Sequence, residues 1–252
     1  MNWIASASAL TPATLALIAA MTFGAAFVRG LTGFGMAIIL VPLLSLVIRP
    51  DQAVVLAILL QFLIGPMGVR QVIADCHWPS ARLIAGSAVF ATPLGLLLLA
   101  RTTPDVARLI ITAIAIVAFV LVLLPRKQSV RPSGVATVAT GLIAGVLTGF
   151  AAMPGPPVVP YYLRGDFTPH QARASMMMIF FATAIAGTFV SLVLGLATIQ
   201  LGMIALILFV PMLAGNSIGA QAFGRISPIV WRSAVAGLLG VSAISAIVRA
   251  IW

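Results

Sequence analysis

Four residues, Leu-Thr-Gly-Phe, occur twice in this chain, at Leu31–Phe34 and at Leu147–Phe150. Each copy interrupts an apolar run and is followed by more helix-breaking residues, Gly35 in the first case and Pro154–Pro157 in the second. Glycine lets a backbone leave a helix and approach a ligand, and proline forbids a continuous helix. A helix that restarts there presents unpaired N–H groups and the positive end of its dipole. The chemistry available is therefore anion binding by backbone groups.

The predicted binding residues lie at and beside these two breaks. Thr32 and Thr148 offer hydroxyl donors at equivalent places, and Arg29 offers a guanidinium whose fork suits an oxyanion. Arg29 has an alternative role, in which its charge extends to the membrane–water interface. Asn216 either lines the same path or forms interhelical hydrogen bonds. The predicted substrate-binding set is Arg29, Thr32, Gly33, Phe34, Gly35, Thr148, Gly149, Phe150, Met153, Pro154, Gly155, Pro156 and Asn216.

Composition places these breaks inside a lipid bilayer. Of the 252 residues, 62% are hydrophobic and only 7% are charged, whereas a soluble domain carries about a quarter charged residues. Apolar runs such as 109–124 do not alternate in the manner of barrel strands, so we expect helices that satisfy their own hydrogen bonds. The sequence predicts an all-α, multi-pass integral membrane protein.

Ten predicted helical segments position the breaks. A helix needs about 20 residues to span a bilayer, and the segments 35–48 and 155–164 are too short. Each is predicted to be a limb of a re-entrant hairpin or part of a broken spanning helix. The predicted bounds are 12–30, 35–48, 52–73, 81–100, 105–125, 135–150, 155–164, 170–196, 199–223 and 228–250.

The chain is predicted to consist of two homologous halves. Pro50–Ala53 matches Pro169–Ala172 at nearly the same offset as the two Leu-Thr-Gly-Phe copies. With five segments in each half, the second half lies upside down in the membrane, an arrangement typical of secondary transporters. Within one membrane domain, we expect a first repeat at 1–125, a basic cytoplasmic linker at 126–134 and a second repeat at 135–252.

Positive charge predicts the orientation and excludes one class of partner. The net charge of +10 comes from 14 dispersed Lys and Arg residues that form no basic patch, which excludes nucleic acid. With the N-terminus outside, and Arg29 set aside, nine of these residues lie at inside ends and four at outside ends. The positive-inside rule then places both termini outside. The inside set is Arg70, Arg82, Arg126, Lys127, Arg131, Arg164, Arg173, Arg225 and Arg232.

The residues needed for catalysis or metal binding are scarce. Cys76 is the only cysteine, the two histidines lie far apart in the sequence, and there is no glutamate. We therefore predict neither an enzyme, nor a metal site, nor a cofactor. The four aspartates fall near predicted helix ends, so no carboxylate is predicted deep in the membrane to relay protons.

The stretches GLTGFGMAIILVPLL, from Gly30, and GVLTGFAAMPGPPVVPYYL, from Gly145, resemble the paired signatures of the sulfite exporter TauE/SafE family. The resemblance covers nearly the whole chain. It implies export of sulfite, a sulfonate or a related organosulfur anion across the cytoplasmic membrane. Together with the paired breaks, this predicts a secondary transporter of the bacterial cytoplasmic membrane that works by alternating access around a midplane site formed by the two breaks. The alternatives are an anion channel or a membrane assembly factor of the same fold. The sequence leaves open whether the chain forms a homo-oligomer.

Overall fold

The computed structural model describes residues 11–123 and 133–221, and within these ranges all regular structure is helical. The predicted segment 228–250 and nearly all of the predicted linker lie outside the described residues. The described helices are α1 (Pro12–Thr32), α2 (Met36–Val47), α3 (Pro50–Ile64), α4 (Val69–Asp75), α5 (Trp78–Arg101), α6 (Pro104–Leu123), α7 (Gly134–Ala151), α8 (Gly155–Arg164), α9 (Pro169–Val193) and α10 (Ile199–Gln221).

Five of these helices, α1, α5, α7, α9 and α10, are long and apolar enough to cross a membrane, and the bent pair α3–α4 makes a sixth if it is one span. Large apolar side chains face outward from them, for example Phe90 (82% exposed) and Val210 (68% exposed). Lipid is the solvent that accommodates such a surface. The described part of the chain is therefore a multi-pass membrane bundle, as predicted.

Local capping explains where several helices begin. The Thr11 and Ser133 hydroxyls accept hydrogen bonds from backbone N–H groups in the first turns of α1 and α7. At the start of α9, Thr168 and Gln171 form a reciprocal capping box. Each cap satisfies N–H groups that have no partner within the helix.

One predicted helix is wrong. The segment 52–73 was expected to be continuous, but α3 ends at Ile64 and α4 runs at 84° to it. The sequence Gly65-Pro66-Met67-Gly68 lies between them, and Gly68 has a φ of 70°. Pro66 lacks an N–H and so removes one helical hydrogen bond, and the left-handed conformation of Gly68 turns the chain away from the axis of α3. The mean hydropathy of the segment did not indicate this break.

The two predicted halves exchange their most extensive helix contacts. The first helix of each half packs on the fourth segment of the other, α1 on α10 and α7 on α5. Glycines permit the close approach: Gly145 of α7 faces the backbone of Ala88, and Gly219 of α10 faces that of Phe27. This reciprocal pairing is what two halves related by a twofold axis would form; that the second half is inverted stays a prediction.

The short helix α2 lies at the centre of the bundle. Its residues 36–45 are all buried, and it packs against α1, α3 and α6. At about 1.5 Å per residue its 12 residues extend about 18 Å, well short of the roughly 30 Å hydrocarbon core. The ten residues of α8 are shorter still. Both segments predicted to be too short to span alone are confirmed.

Candidate functional site

The first break has the local structure that its glycines predict. Helix α1 ends at Thr32, and Gly33 and Gly35 adopt left-handed φ values of 83° and 91° before α2 begins at Met36. An L-residue with a side chain adopts such values only at a cost of about 1–2 kcal/mol. The glycines therefore permit the chain to stop one helix and start another within three residues.

The second break lies later than the repeated motif. Leu147–Phe150 is helical, and α7 ends at Ala151, one residue after the predicted end of the segment 135–150. The interruption is at Ala152, whose φ of 57° is the only positive value among the described non-glycine residues. The Ala152 N–H donates to the Thr148 carbonyl over 2.7 Å, which closes the end of α7. Helix α8 then begins at Gly155, as predicted.

The two breaks meet around a cavity of about 30 Å³, here called the break cavity. One water needs roughly 10–15 Å³ by the same measure, so the break cavity holds two or three water-sized groups, and a larger ligand requires it to widen. Its lining comprises Arg29, Gln61, Gly65, Phe180, Phe181 and two stretches of chain, Phe34–Ile38 and Met153–Gly155.

The predicted binding residues divide into two groups. Six of them line the break cavity: Arg29, Phe34, Gly35, Met153, Pro154 and Gly155. The other seven do not: Thr32, Gly33, Thr148, Gly149, Phe150, Pro156 and Asn216.

Both threonines hold backbone in place. The Thr148 hydroxyl is buried and donates to the Ala144 carbonyl over 2.7 Å. The Thr32 hydroxyl lies 2.9 Å from the Val28 carbonyl and 2.7 Å from the Phe34 carbonyl, and it accepts from the Phe34 N–H. A threonine hydroxyl has one hydrogen to donate, and in both cases backbone carbonyls receive it. The geometry supports a structural role for both hydroxyls rather than anion contact.

Arg29 points toward α10 and does not extend along α1 toward an interface. Its Nη1 donates to the Asn216 Oδ1 over 2.9 Å, and the side chain forms part of the break-cavity wall. The position that matches Arg29 in the second half is Gly145, so the break cavity has one such arginine and not two. Contact between Arg29 and an anion stays a prediction.

The N–H donors at the cavity come mainly from α2. The first turn of a helix has N–H groups without intrahelical partners, and Met36, Ala37 and Ile38 supply three of them along the cavity wall. In α8, Pro156 and Pro157 follow Gly155 and carry no N–H. The two helix starts are therefore unequal, and α2 is the stronger candidate for an anion partner.

Two residues outside the predicted binding set contribute to this region. Gln61, for which the sequence left open either a place on the path or a hydrogen bond between helices, lines the break cavity and donates from Nε2 to the Ala152 carbonyl over 3.1 Å. Arg173, counted only as a loop charge, donates from Nη2 to the Gly30 carbonyl over 3.2 Å. Its side chain also lies against Gly33, where any Cβ would crowd the Arg173 Cγ. Contacts across 91 and 143 residues leave no local sequence signal.

Among the described residues, no group of three or more His, Cys, Asp or Glu side chains could hold a metal ion. Interrupted helices that meet at a small cavity within a bundle of membrane-length helices are typical of membrane transporters. The family model described as Sulfite exporter TauE/SafE matches residues 17–246. The chain belongs to this family, which is a family of membrane transporters and not of enzymes. Comparisons with curated proteins and with solved structures gave no significant match.

Proposed function

We propose that this protein exports a small sulfur oxyanion, such as sulfite or a short sulfonate, and that the anion binds in the break cavity. The observation that carries the proposal is the convergence of Arg29 with the first turn of α2 at that cavity. A guanidinium and a helix N-terminus both attract an oxyanion, and both supply N–H donors with directional geometry. Family membership supplies the sulfur-anion class.

The rest of the lining favours a small anion of low charge. Gln61 is the uncharged polar side chain of the cavity wall, and the remaining side chains there are apolar, including Phe34, Phe180 and Phe181. A dianion would face one guanidinium and many apolar groups, so part of its charge would be desolvated without compensation. A monoanion with a small apolar part, such as an alkanesulfonate, matches these walls better than sulfate does.

Transport requires the cavity to open alternately to the two sides of the membrane. We propose that the two halves are inverted repeats which rock against each other, with the breaks at the fixed centre near the bilayer midplane. The reciprocal packing of α1 on α10 and of α7 on α5 supports this symmetry. The proposed location is the bacterial cytoplasmic membrane, with both termini outside.

A binding experiment tests the proposal. The melting temperature of the detergent-purified chain is measured with ethanesulfonate, sulfite, sulfate and acetate. A ligand at about 100 times its Kd stabilises the folded state by about 2.7 kcal/mol, which raises the melting temperature by roughly 5–10 °C. We expect that shift for ethanesulfonate and for hydrogensulfite, the monoanion of sulfite, with a smaller one for the sulfate dianion and for acetate.

Two arginine variants make the test specific. Arg29→Gln removes the guanidinium at the cavity, and Arg82→Gln removes one that lies over the Trp78 ring, 5.1 Å from its centroid. The ethanesulfonate shift should disappear in the first variant and persist in the second. A shift that survives Arg29→Gln, or that is equal for all four anions, contradicts the proposed site.

A further inference from the structure

A second and larger cavity, of about 180 Å³, lies beside α4 and is here called the α4 cavity. Its walls come from α4 and the turn before it, from the first turns of α9 and from Asn216 of α10. Half of the lining residues carry polar side chains: Gln71, Asp75, His170, Arg173 and Asn216. The 84° bend between α3 and α4 creates this space, because a straight continuation of α3 would not turn α4 toward α9.

The α4 cavity and the break cavity share a wall. Arg29 lines the break cavity, Asn216 lines the α4 cavity, and the hydrogen bond of 2.9 Å between them joins the two. Arg173 reinforces this wall, because it lines the α4 cavity, donates to the Gly30 carbonyl and lies against Gly33 of the first break. Two guanidinium groups therefore stand in series, one at each cavity.

We infer that the α4 cavity is a second subsite for the same small sulfur oxyanion, in series with the break cavity, with the Arg29–Asn216 pair as the partition between them. This inference rests on the proposed function. In the α4 cavity, Arg173 supplies the positive charge, and the amides of Gln71 and Asn216 supply further N–H donors. Under the predicted orientation this cavity is at the cytoplasmic end, so it receives the anion before the break cavity does.

The charges around the α4 cavity suit a subsite that binds the anion and then releases it to the break cavity. Asp75 shares the lining with Arg173 and His170, so its carboxylate offsets part of the attraction that Arg173 exerts on an anion. A subsite on a transport path has to release its ligand as well as bind it. Transfer to the break cavity then needs Arg29 to exchange the Asn216 oxygen for an oxygen of the anion. Arg29 on α1 and Arg173 on α9 both keep their positions in that step.

Cysteine modification tests the inference without measuring transport. In the full chain carrying Cys76→Ser, Val72→Cys places a thiol in the α4 cavity wall, and Ile73→Cys places one on the exposed side of the same helix. The rates of modification by the anionic 2-sulfonatoethyl methanethiosulfonate and by neutral methyl methanethiosulfonate are compared by mass spectrometry. Arg173 lies in the cavity wall and attracts the anionic reagent, and Asp75 offsets only part of that attraction, so we expect the anionic-to-neutral rate ratio at position 72 to exceed that at position 73 several-fold.

Variants at Arg173 and Arg29 test which side chain causes the difference in the rate ratio. Arg173→Gln should bring the ratio at position 72 down to that at position 73, and Arg173→Lys, which keeps the charge, should retain most of it. Ethanesulfonate should slow modification of Val72→Cys several-fold, leave Ile73→Cys unchanged, and still protect position 72 when Arg29→Gln is present. Equal rate ratios at the two positions, or protection that requires Arg29, overturn the second subsite.

The outcomes also separate this inference from the proposed function. If ethanesulfonate raises the melting temperature through Arg29 but does not protect Val72→Cys, the second subsite is wrong and the break-cavity site stands. If it protects Val72→Cys while Arg29→Gln has no effect on the melting-temperature shift, the break-cavity site is wrong and an anion site at α4 stands. If it does neither, both fail.

Discussion

Replacing Asn216 tests whether the Arg29–Asn216 hydrogen bond competes with the bound anion. The Asn216 Oδ1 accepts from the Arg29 Nη1 over 2.9 Å, and both side chains line cavities. A hydrogen bond to a charged group contributes about 1.5–3 kcal/mol to stability. If the anion takes the same Nη1 hydrogen, it displaces Asn216, and its net binding free energy is then reduced by that amount.

The two substitutions at this position should act in opposite directions. Asn216→Ala removes the competitor, so at the lower figure of about 1.5 kcal/mol the affinity for ethanesulfonate should rise about tenfold. The ligand-free protein should lose a similar free energy of unfolding. Asn216→Asp puts a carboxylate beside Arg29, so both partners of the hydrogen bond are charged and form an ion pair, and the carboxylate also repels an incoming anion. Its affinity for ethanesulfonate should fall at least tenfold.

Isothermal titration of the purified variants with ethanesulfonate measures both changes. Thr140→Ala is a suitable control, because the Thr140 hydroxyl is exposed and bonds only within α7 to the Ala136 carbonyl. Its affinity should match that of the unmodified chain. If Asn216→Ala and Asn216→Asp change the affinity in the same direction, or neither changes it, then Arg29 does not exchange Asn216 for the anion and the reasoning is refuted.

Three further predictions concern packing, reactivity and coupling. Gly145→Ala places a Cβ against the Ala88 carbonyl, so in a denaturation assay it should lower the free energy of unfolding by about 1–3 kcal/mol. Gly86→Ala is the control, because the space around Gly86 is open; it should leave the free energy of unfolding unchanged or raise it. Cys76 is buried, and burial raises the pKa of its thiol. At pH 7.5 a maleimide should therefore react with Cys76 in the folded chain at least tenfold more slowly than in the denatured chain. Equal rates would contradict the burial of Cys76. In proteoliposomes, sulfonate export should carry current and persist without a pH gradient, since moving one charge outward gains about 2.3 kcal/mol per 100 mV; electroneutral export that stops when the pH gradient collapses would contradict this.

Sequence reasoning was most successful where backbone chemistry alone decides the structure. Gly33, Gly35 and the prolines around Gly155 forced the ends of α1 and the starts of α2 and α8, which lie within a residue or two of the predicted positions. It was less successful where long-range contacts decide. The residues near Arg173 in the sequence do not indicate that its side chain lies against Gly33, which is 140 positions away along the chain.

The threonines show a different kind of failure. Their equivalence in the repeated motif suggested equivalent donors at a site, but a threonine in a helix has the carbonyl four residues earlier within reach. For Thr148 that local bond is formed, over 2.7 Å, and the hydroxyl is buried with it. Thr32 stands at the end of its helix and bonds with the backbone on both sides of the break. The same residue type therefore stabilises a helix interior in one half and a helix end in the other.

The two copies of the motif share four residues but differ in local structure and in what they contact. The first ends a helix, exposes the N–H groups of α2 and stands beside Arg29. The second remains helical, and its Gly149 packs against the backbone of α5, while Gly145 occupies the place of Arg29 where the Ala88 backbone leaves no room for a side chain. A second arginine at that position would have to separate α5 from α7. The single arginine at the break cavity therefore follows from the packing of α7 against α5, and the weaker helix start of α8 follows from Pro156 and Pro157. A small anion of low charge is the ligand that we propose for this arrangement.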